Sequence, residues 1–200
     1  MTKKIDNFIQ MVKREARASG IKVRLPKSKT VMIDGVKVNG YFDDEDEMVL
    51  KCAIGKPEKE WFPIFVHEYC HFRQYIEKPS AWRTYSKEKS DIFFSWIQGQ
   101  NFHAKTVKRF VKRTVAIELD CEKRVAEAID KFDLPIDRTE YIKKANAYIY
   151  FYPYALTTRK WYKKAPYTIP LVYNKFSKSF NGNYNVVPDK YIKLYNDHCM

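Results

Sequence analysis

Residues 61–77 read WFPIFVHEYCHFRQYIE, a segment in which apolar side chains recur at helical spacing. Within it, residues 67–71 read HEYCH, an H-E-x-x-H motif. On a helix, residues four apart lie on one face, so the two imidazoles can bind a single metal ion. The glutamate beside the first histidine can reach a water on that metal. The pattern therefore predicts His67 and His71 as metal ligands and Glu68 as a candidate base.

The chain before this segment predicts a helix followed by a small, mostly antiparallel sheet. Apolar residues at helical spacing predict the helix over residues 3–18. Four segments with alternating or continuous apolar residues predict strands, and an Asp-Gly pair between two of them is a hairpin signal. The strands are 21–25, 31–33, 36–42 and 48–54, with the turn at Asp34-Gly35.

The chain after the segment predicts mainly helices. Helical spacing and a candidate cap at Ser90 predict three of them, whereas prolines and an Asn-Gly-Asn turn predict loops with short strands from Tyr154 onward. The order of elements predicts an α+β fold, with a core domain and a basic, tyrosine-rich extension packed on it. The helices are 90–100, 104–132 and 139–151, and the two domains are 1–135 and 136–200.

Composition excludes several classes of protein. The four cysteines match neither a zinc-finger spacing nor a compact disulfide framework, and the chain has no apolar run of about 18 residues that could span a membrane. A length of 200 residues suits one domain with a small appendage. These observations predict a reduced, cytoplasmic protein with no membrane partner.

The net charge of +13 is unevenly distributed. Residues 141–200 hold 10 Lys and Arg against 2 Asp and Glu, whereas residues 1–140 hold 27 against 22. A basic surface of this kind either solubilises the protein or binds a polyanion. Nucleic acid is therefore a candidate partner of the C-terminal part, residues 154–200.

A third metal ligand is needed, because a catalytic zinc usually has three protein ligands and one open position. Helical phase places Glu118 in the apolar stripe of the predicted helix 104–132 and Glu122 on the same face, whereas Asp120 lies on the polar side. A carboxylate in an apolar stripe is costly unless it is paired, and zinc would pair with it. Phase therefore favours Glu118 as the ligand and Glu122 as a hydrogen-bond partner of a ligand histidine. The full set of candidates for this third ligand, all downstream of the motif, is Glu88, Asp91, His103, Glu118, Asp120 and Glu122.

These two segments together resemble the gluzincin branch of the zincin metallopeptidases, in which H-E-x-x-H is followed by a glutamate on a later helix. The run ELDCEKRVA, residues 118–126, is similar to the glutamate helix of small ImmA/IrrE-type members. Those members have Asp or Asn four residues after the ligand glutamate, where this chain has Glu122. The resemblance covers about residues 1–132. The length and the Lys/Tyr-rich composition are also similar to small phage-encoded metallopeptidases.

The resemblance implies a zincin-like fold and a zinc-dependent metallopeptidase that hydrolyses peptide bonds in a protein or peptide substrate. One Zn²⁺ per chain would be bound by His67, His71 and Glu118, with Glu68 as the general base. The expected location is the cytoplasm, or the host cytoplasm if the chain is phage-encoded. Gluzincins often stabilise the oxyanion with a Tyr or His, and the candidates here include Tyr148, Tyr150 and Tyr152. An exposed strand edge is expected to bind the substrate, and the predicted strand 48–54 is nearest in sequence.

Other interpretations stay open on the sequence alone. The two histidines could be ordinary helical residues, Glu118 could pair with a buried Lys or Arg, and Cys70 and Cys121 are expected to be small core residues. One alternative function is nucleic-acid binding, in which the run RKWYKK at 159–164 combines cationic side chains with stacking rings. Another is a catalytically inactive zincin fold that binds a partner.

Overall fold

The structure is a computed structural model that describes residues 2–33, 35–85 and 92–200. Asp34 of the predicted turn, the candidate cap Ser90 and the ligand candidates Glu88 and Asp91 lie outside the described residues. The α+β class is confirmed, since helices predominate beside a small mixed sheet. The described chain forms two compact units. No helix in these ranges is long and apolar enough to cross a membrane.

The first unit comprises the residues up to Pro79 together with Arg124–Ile136. It begins with the predicted N-terminal helix, whose buried face is apolar. Five short strands follow, and then the helix that carries the motif. The elements are α1 (Lys3–Ala18), β1 (Lys22–Arg24), β2 (Val31–Ile33), β3 (Val36–Val38), β4 (Gly40–Asp43), β5 (Val49–Cys52) and α2 (Glu58–Glu77).

The main sheet has the strand order β1-β5-β4, so β5 is central and β4 forms an edge. β5 pairs parallel with β1 and antiparallel with β4. The sheet is therefore mixed, and only its β4–β5 pair matches the predicted antiparallel character. The long connection between β1 and β5 permits the parallel pairing. β2 and β3 form the predicted hairpin as a separate antiparallel pair, and Gly35 supplies the positive φ of +76° that the turn requires.

α2 packs on the sheet and on α1 through its apolar residues. The Phe8 ring of α1 makes edge contacts with Phe62, Phe65 and Tyr69 of α2. These rings are buried, and such aromatic pairs contribute about 0.5–1.5 kcal/mol each beyond the area that they bury. The helix ends at Lys78 in the left-handed conformation, just before Pro79. This packing fixes which face of α2 carries the histidines.

The second unit comprises Ser80–Lys123 and Asp137–Met200, and it is helical around an aromatic core. Its long helix continues into the first unit and closely matches the predicted range 104–132. The core is rich in tyrosine and phenylalanine, which explains the high aromatic content. The helices are α3 (Ser80–Tyr85), α4 (Ile92–Ile97), α5 (Ala104–Lys131), α6 (Arg138–Ile149), α7 (Phe151–Thr158), α8 (Pro170–Tyr173) and α9 (Asp189–His198), with a 3₁₀ turn at Pro166–Thr168.

The prediction of short strands after Tyr154 is wrong, because the regular elements of this part of the described chain are helices, whereas the predicted loops are present at 159–165 and 174–188. Pro153 lies in the first turn of α7, Pro170 begins α8, and Pro188 is the N-cap of α9. In the first turn a backbone N–H has no intrahelical partner, so proline is tolerated there. The prolines therefore mark helix starts, although sequence reasoning took them as breaks.

Candidate metal centre

α2 brings the two motif histidines together. The Nε2 atoms of His67 and His71 lie 3.0 Å apart, with their rings nearly perpendicular at 88°. Two Nε2 ligands of one tetrahedral zinc, each at about 2.0–2.1 Å from it, would lie about 3.3 Å apart. The observed separation is close to that value, so the paired imidazoles fit a shared metal ion.

Gln74 fixes the orientation of the His71 ring. Its Oε1 lies 2.8 Å from His71 Nδ1, and the side chain is fully buried at 0% exposure. An amide oxygen accepts, so Nδ1 donates and the lone pair on Nε2 faces His67. Burial, with the neighbouring charge of His67 as the second cause, lowers the pKa of His71 to about 3. Near neutral pH the imidazole is therefore in the uncharged form that a metal requires.

Sequence reasoning missed Gln74, although a signal was present. Gln74 lies three residues after His71, on the same face of the helix. A polar side chain there has to be satisfied by a partner.

We expect Gln74→Leu to weaken zinc binding by about 10- to 100-fold, the range found when a hydrogen-bond partner of a metal-binding histidine is removed. Leucine has a similar volume but accepts no hydrogen bond, so the His71 ring loses its tautomeric preference. Competition with a chromophoric chelator measures the zinc affinity. Gln74→Glu keeps the acceptor and should retain most of the affinity, and an equal loss in both variants would contradict the role given to Oε1.

Glu68 is buried at 8% exposure, on the side of α2 that faces the sheet. A Cβ added to Gly40 of the edge strand β4 would lie 3.2 Å from Glu68 Cγ. Burial raises the pKa of the Cys52 thiol on the central strand β5, and the negative charge of Glu68 raises it further. The Glu68 carboxylate therefore also lies near β5. The side chain of Glu68, the candidate base, is thus buried beside β4 and β5 and shielded from solvent.

α5 provides carboxylates for a second group of donor atoms, which includes His67 but not His71. Donor atoms of His67, Glu118 and Glu122 all lie within 4.8 Å of one another. Glu122 is almost fully buried at 5% exposure, and Tyr141 Oη donates a short hydrogen bond to its Oε2. Glu118 is half-buried. The two carboxylates that helical phase favours are thus the two of α5 that share a donor group with His67.

An ion-pair network at the C-terminal end of α2 holds the adjacent turn of α5. Arg124 Nη1 donates to Glu77 Oε2 over 2.5 Å, and Arg73 Nη2 donates to Glu77 Oε1 over 2.7 Å. The hydrogen bond from Arg124 is the first cause of the lowered pKa of Glu77. These contacts join Arg124 of α5 to the C-terminal end of α2 within the first unit.

Cys121 is a second residue that sequence reasoning missed. A donor atom of Cys121 lies within 4.8 Å of donor atoms of both His67 and His71. The expectation that Cys70 and Cys121 are buried core residues is confirmed, with exposures of 2% and 0%. Cys121 nevertheless adds a thiol to the cluster, which its position three residues after Glu118 could have signalled.

The tyrosine candidates separate into two groups. The hydroxyls of Tyr148 and Tyr152 lie 2.7 Å apart. Burial raises the pKa of Tyr148 well above its usual range, and the charges of Tyr152 and Glu118 raise it further, so this hydroxyl lies near the carboxylate. Tyr150 instead packs on Tyr184 and other rings of the aromatic core.

Other ligand candidates are not brought to this cluster. His103 is exposed before the start of α5, where its Nδ1 accepts from the backbone N–H of Lys105 over 3.3 Å. Asp120 belongs to neither donor group among the described residues. Both are thus unsuited to complete a site with His67.

The rings of the basic run 159–164 are engaged in the core. Trp161 packs against Phe94 and Phe151, with ring centroids 4.8 and 5.3 Å apart. Arg159 donates to the Trp96 and Gln100 carbonyls. Trp161 and Tyr162 are thus partly buried against the aromatic core, which leaves less of each ring for base stacking.

Comparison of the chain with protein-family models, curated proteins and solved structures finds no match. The gluzincin resemblance therefore rests on the two motif segments, and what it implies about function stays a prediction.

Proposed function

We propose that the chain is a zinc-dependent metallopeptidase with a zincin-like fold. The observation that carries the proposal is the convergence of two Nε2 atoms, 3.0 Å apart, on a helix that also buries Glu68. The carboxylates of Glu118 and Glu122 near His67 supply further hard donors. Imidazole and carboxylate donors together suit zinc.

His67, His71 and Glu118 would hold the zinc in this proposal, and Glu122 would orient His67. When bound, zinc supplies a Lewis acid that polarises a carbonyl and lowers the pKa of a water to about 7. Glu68 takes the proton of the attacking water and delivers it to the leaving amine. Tyr148 is the favoured candidate to donate to the developing oxyanion, because its hydroxyl stays protonated and lies near Glu118.

The edge strand β4 is the favoured place for substrate pairing, in contrast to the expected segment 48–54. β5, which lies within that segment, already pairs on both sides, so its backbone has no free edge. β4 pairs on one side among the described residues, and Gly40 lies against Glu68. An extended peptide added to β4 would therefore run beside the candidate base.

We expect Gly40→Ala to lower peptide hydrolysis by about 10-fold without loss of zinc, because a small misplacement of a catalytic group is costly. The added Cβ would lie 3.2 Å from Glu68 Cγ and 3.1 Å from Ile64 Cγ2, so the base has to shift. Parallel measurements of kcat and bound zinc check this. An unchanged kcat would show that the position of Glu68 does not depend on its contact with the edge strand β4.

The proposed activity is tested with zinc-loaded protein and a proteome-derived peptide library analysed by mass spectrometry. Cleavage should stop with a chelator and return with added zinc. A zinc-loaded, folded protein that cleaves neither peptides nor a panel of unfolded proteins would overturn the proposal.

A zincin-fold binding protein with a closed metal site is the second candidate. Cys121 and Glu122 favour it, since each belongs to a group of three donors with His67 and could add a ligand to the proposed set. Four protein ligands are typical of structural zinc, whereas catalytic zinc keeps a position open. A peptide hydroxamate distinguishes the two, because it binds only at an open position. Zinc-loaded protein that binds no hydroxamate and cleaves nothing would support the closed site.

A further inference from the structure

The N-terminal half of α5 carries a concentrated positive charge. Residues 104–117 hold five Lys and Arg and no Asp or Glu, whereas residues 118–131 hold five Asp and Glu and three Lys and Arg. The unit that contains this basic half, Ser80–Lys123 with Asp137–Met200, holds 20 Lys and Arg against 9 Asp and Glu. Its net charge of +11 is most of the total of +13.

These cations lie along one face of the helix. Lys105, Lys108, Arg109 and Lys112 are all exposed, and their spacing of three and four residues aligns them within about 100° of the helical circumference. The opposite face is apolar and buried, with Val107 among the core residues. We call Lys105, Lys108, Arg109 and Lys112 the α5 basic stripe.

Helix stability does not explain the stripe. The positive end of the helix dipole lies at the N-terminus, where a cation in the first turn is unfavourable and acids are preferred. α5 has no acid in its first turn. Lys105, Lys108 and Lys112 form no ion pair with any carboxylate in the ranges that the structure describes. The three lysine charges thus face solvent, and the charge of Lys105 in the first turn is unfavourable for the helix.

We propose that the α5 basic stripe binds the phosphate backbone of nucleic acid. Along the axis, Lys105 and Lys112 lie about 10 Å apart, which spans about three phosphates of one DNA strand. An exposed α-helix can enter the major groove of a duplex, which is about 12 Å wide. This location differs from the predicted run 159–164, whose rings are engaged in the core.

A membrane surface suits the stripe less well. Helices that bind anionic lipid insert large apolar side chains beside their cations. The exposed large apolar residues of the described chain are Met32, Val36, Ile76, Leu171 and Val186, and none of them lies on α5. The stripe therefore has positive charge but no apolar anchor. Binding to the phosphate backbone of nucleic acid requires the charge and does not require an anchor.

The test measures binding of the full chain to labelled 20-nucleotide DNA, both duplex and single-stranded, by fluorescence anisotropy across a salt series. For duplex DNA, Lys108→Gln with Lys112→Gln should make the slope of log K against log salt shallower by about 1.8, since each phosphate contact contributes about 0.9. At 0.1 M salt this corresponds to roughly 60-fold weaker binding than the wild type, if the two affinities converge near 1 M.

The matched control is Lys13→Gln with Arg17→Gln, another exposed pair four residues apart, located on α1. It removes the same net charge and should bind within about twofold of the wild type, because only the stripe contacts phosphate. Equal losses in both variants would show a net-charge effect and overturn the proposal. So would the absence of DNA binding at low salt, or binding to anionic lipid vesicles without binding to DNA. The outcome does not depend on the proposed peptidase activity.

Discussion

Glu68→Gln is expected to abolish peptide hydrolysis while the protein keeps its zinc. Glutamine has the shape of glutamate but cannot take a proton from the attacking water, and a general base contributes about 10²- to 10⁴-fold to rate. Among the described residues Glu68 belongs to neither group of donor atoms, so its replacement leaves those donors intact. The measurements are kcat/KM on a fluorogenic peptide taken from the library and metal content of the same sample.

Glu60→Gln is the control for this substitution, since Glu60 lies on α2 but is exposed. It should retain the wild-type rate. If the Glu68→Gln protein hydrolysed peptides at the full rate, Glu68 would not be the general base. If zinc were lost in proportion to activity, Glu68 would have to act through the metal site instead.

The parts of the fold that the sequence predicts well are those governed by local periodicity. α1 and α5 each bury one largely apolar face, and apolar residues recur at helical spacing along α2, so a period of 3.6 residues identifies all three helices. Local periodicity does not determine the order of strands, because the pairing of β1 with β5 joins segments that are distant in sequence. That pairing, and hence the identity of the edge strand, depends on tertiary packing.

The candidate site divides in the same way. The approach of His67 and His71 follows from helical spacing, and phase on α5 selects Glu118 and Glu122. The sequence signals Gln74 and Cys121 only weakly: each follows a predicted ligand by three residues, but glutamine and cysteine occur on many helices without a special role. Only side-chain positions reveal that one contacts His71 and that the other lies near both imidazoles.

Glu118→Ala is expected to weaken zinc binding by on the order of 10²- to 10³-fold, and Glu122→Ala by only about 10- to 100-fold. The larger value follows because an apparent binding energy of about 10–16 kcal/mol, shared by three or four ligands, leaves about 3–4 kcal/mol for each. The smaller value is that of a residue which orients a ligand, as the contact of Glu122 with Tyr141 suggests. Competition with a chelator measures both affinities.

Two further variants on α5 make this comparison decisive. Asp120→Ala removes a carboxylate that lies in neither donor group and should change zinc affinity by less than about twofold. Cys121→Ala removes a buried thiol and tests the donor group formed with His67 and His71. A larger loss for Glu122→Ala than for Glu118→Ala would exchange the roles of the two glutamates. A loss on Cys121→Ala as large as that on Glu118→Ala would favour the closed site over a catalytic one, because four protein donors leave no position for water.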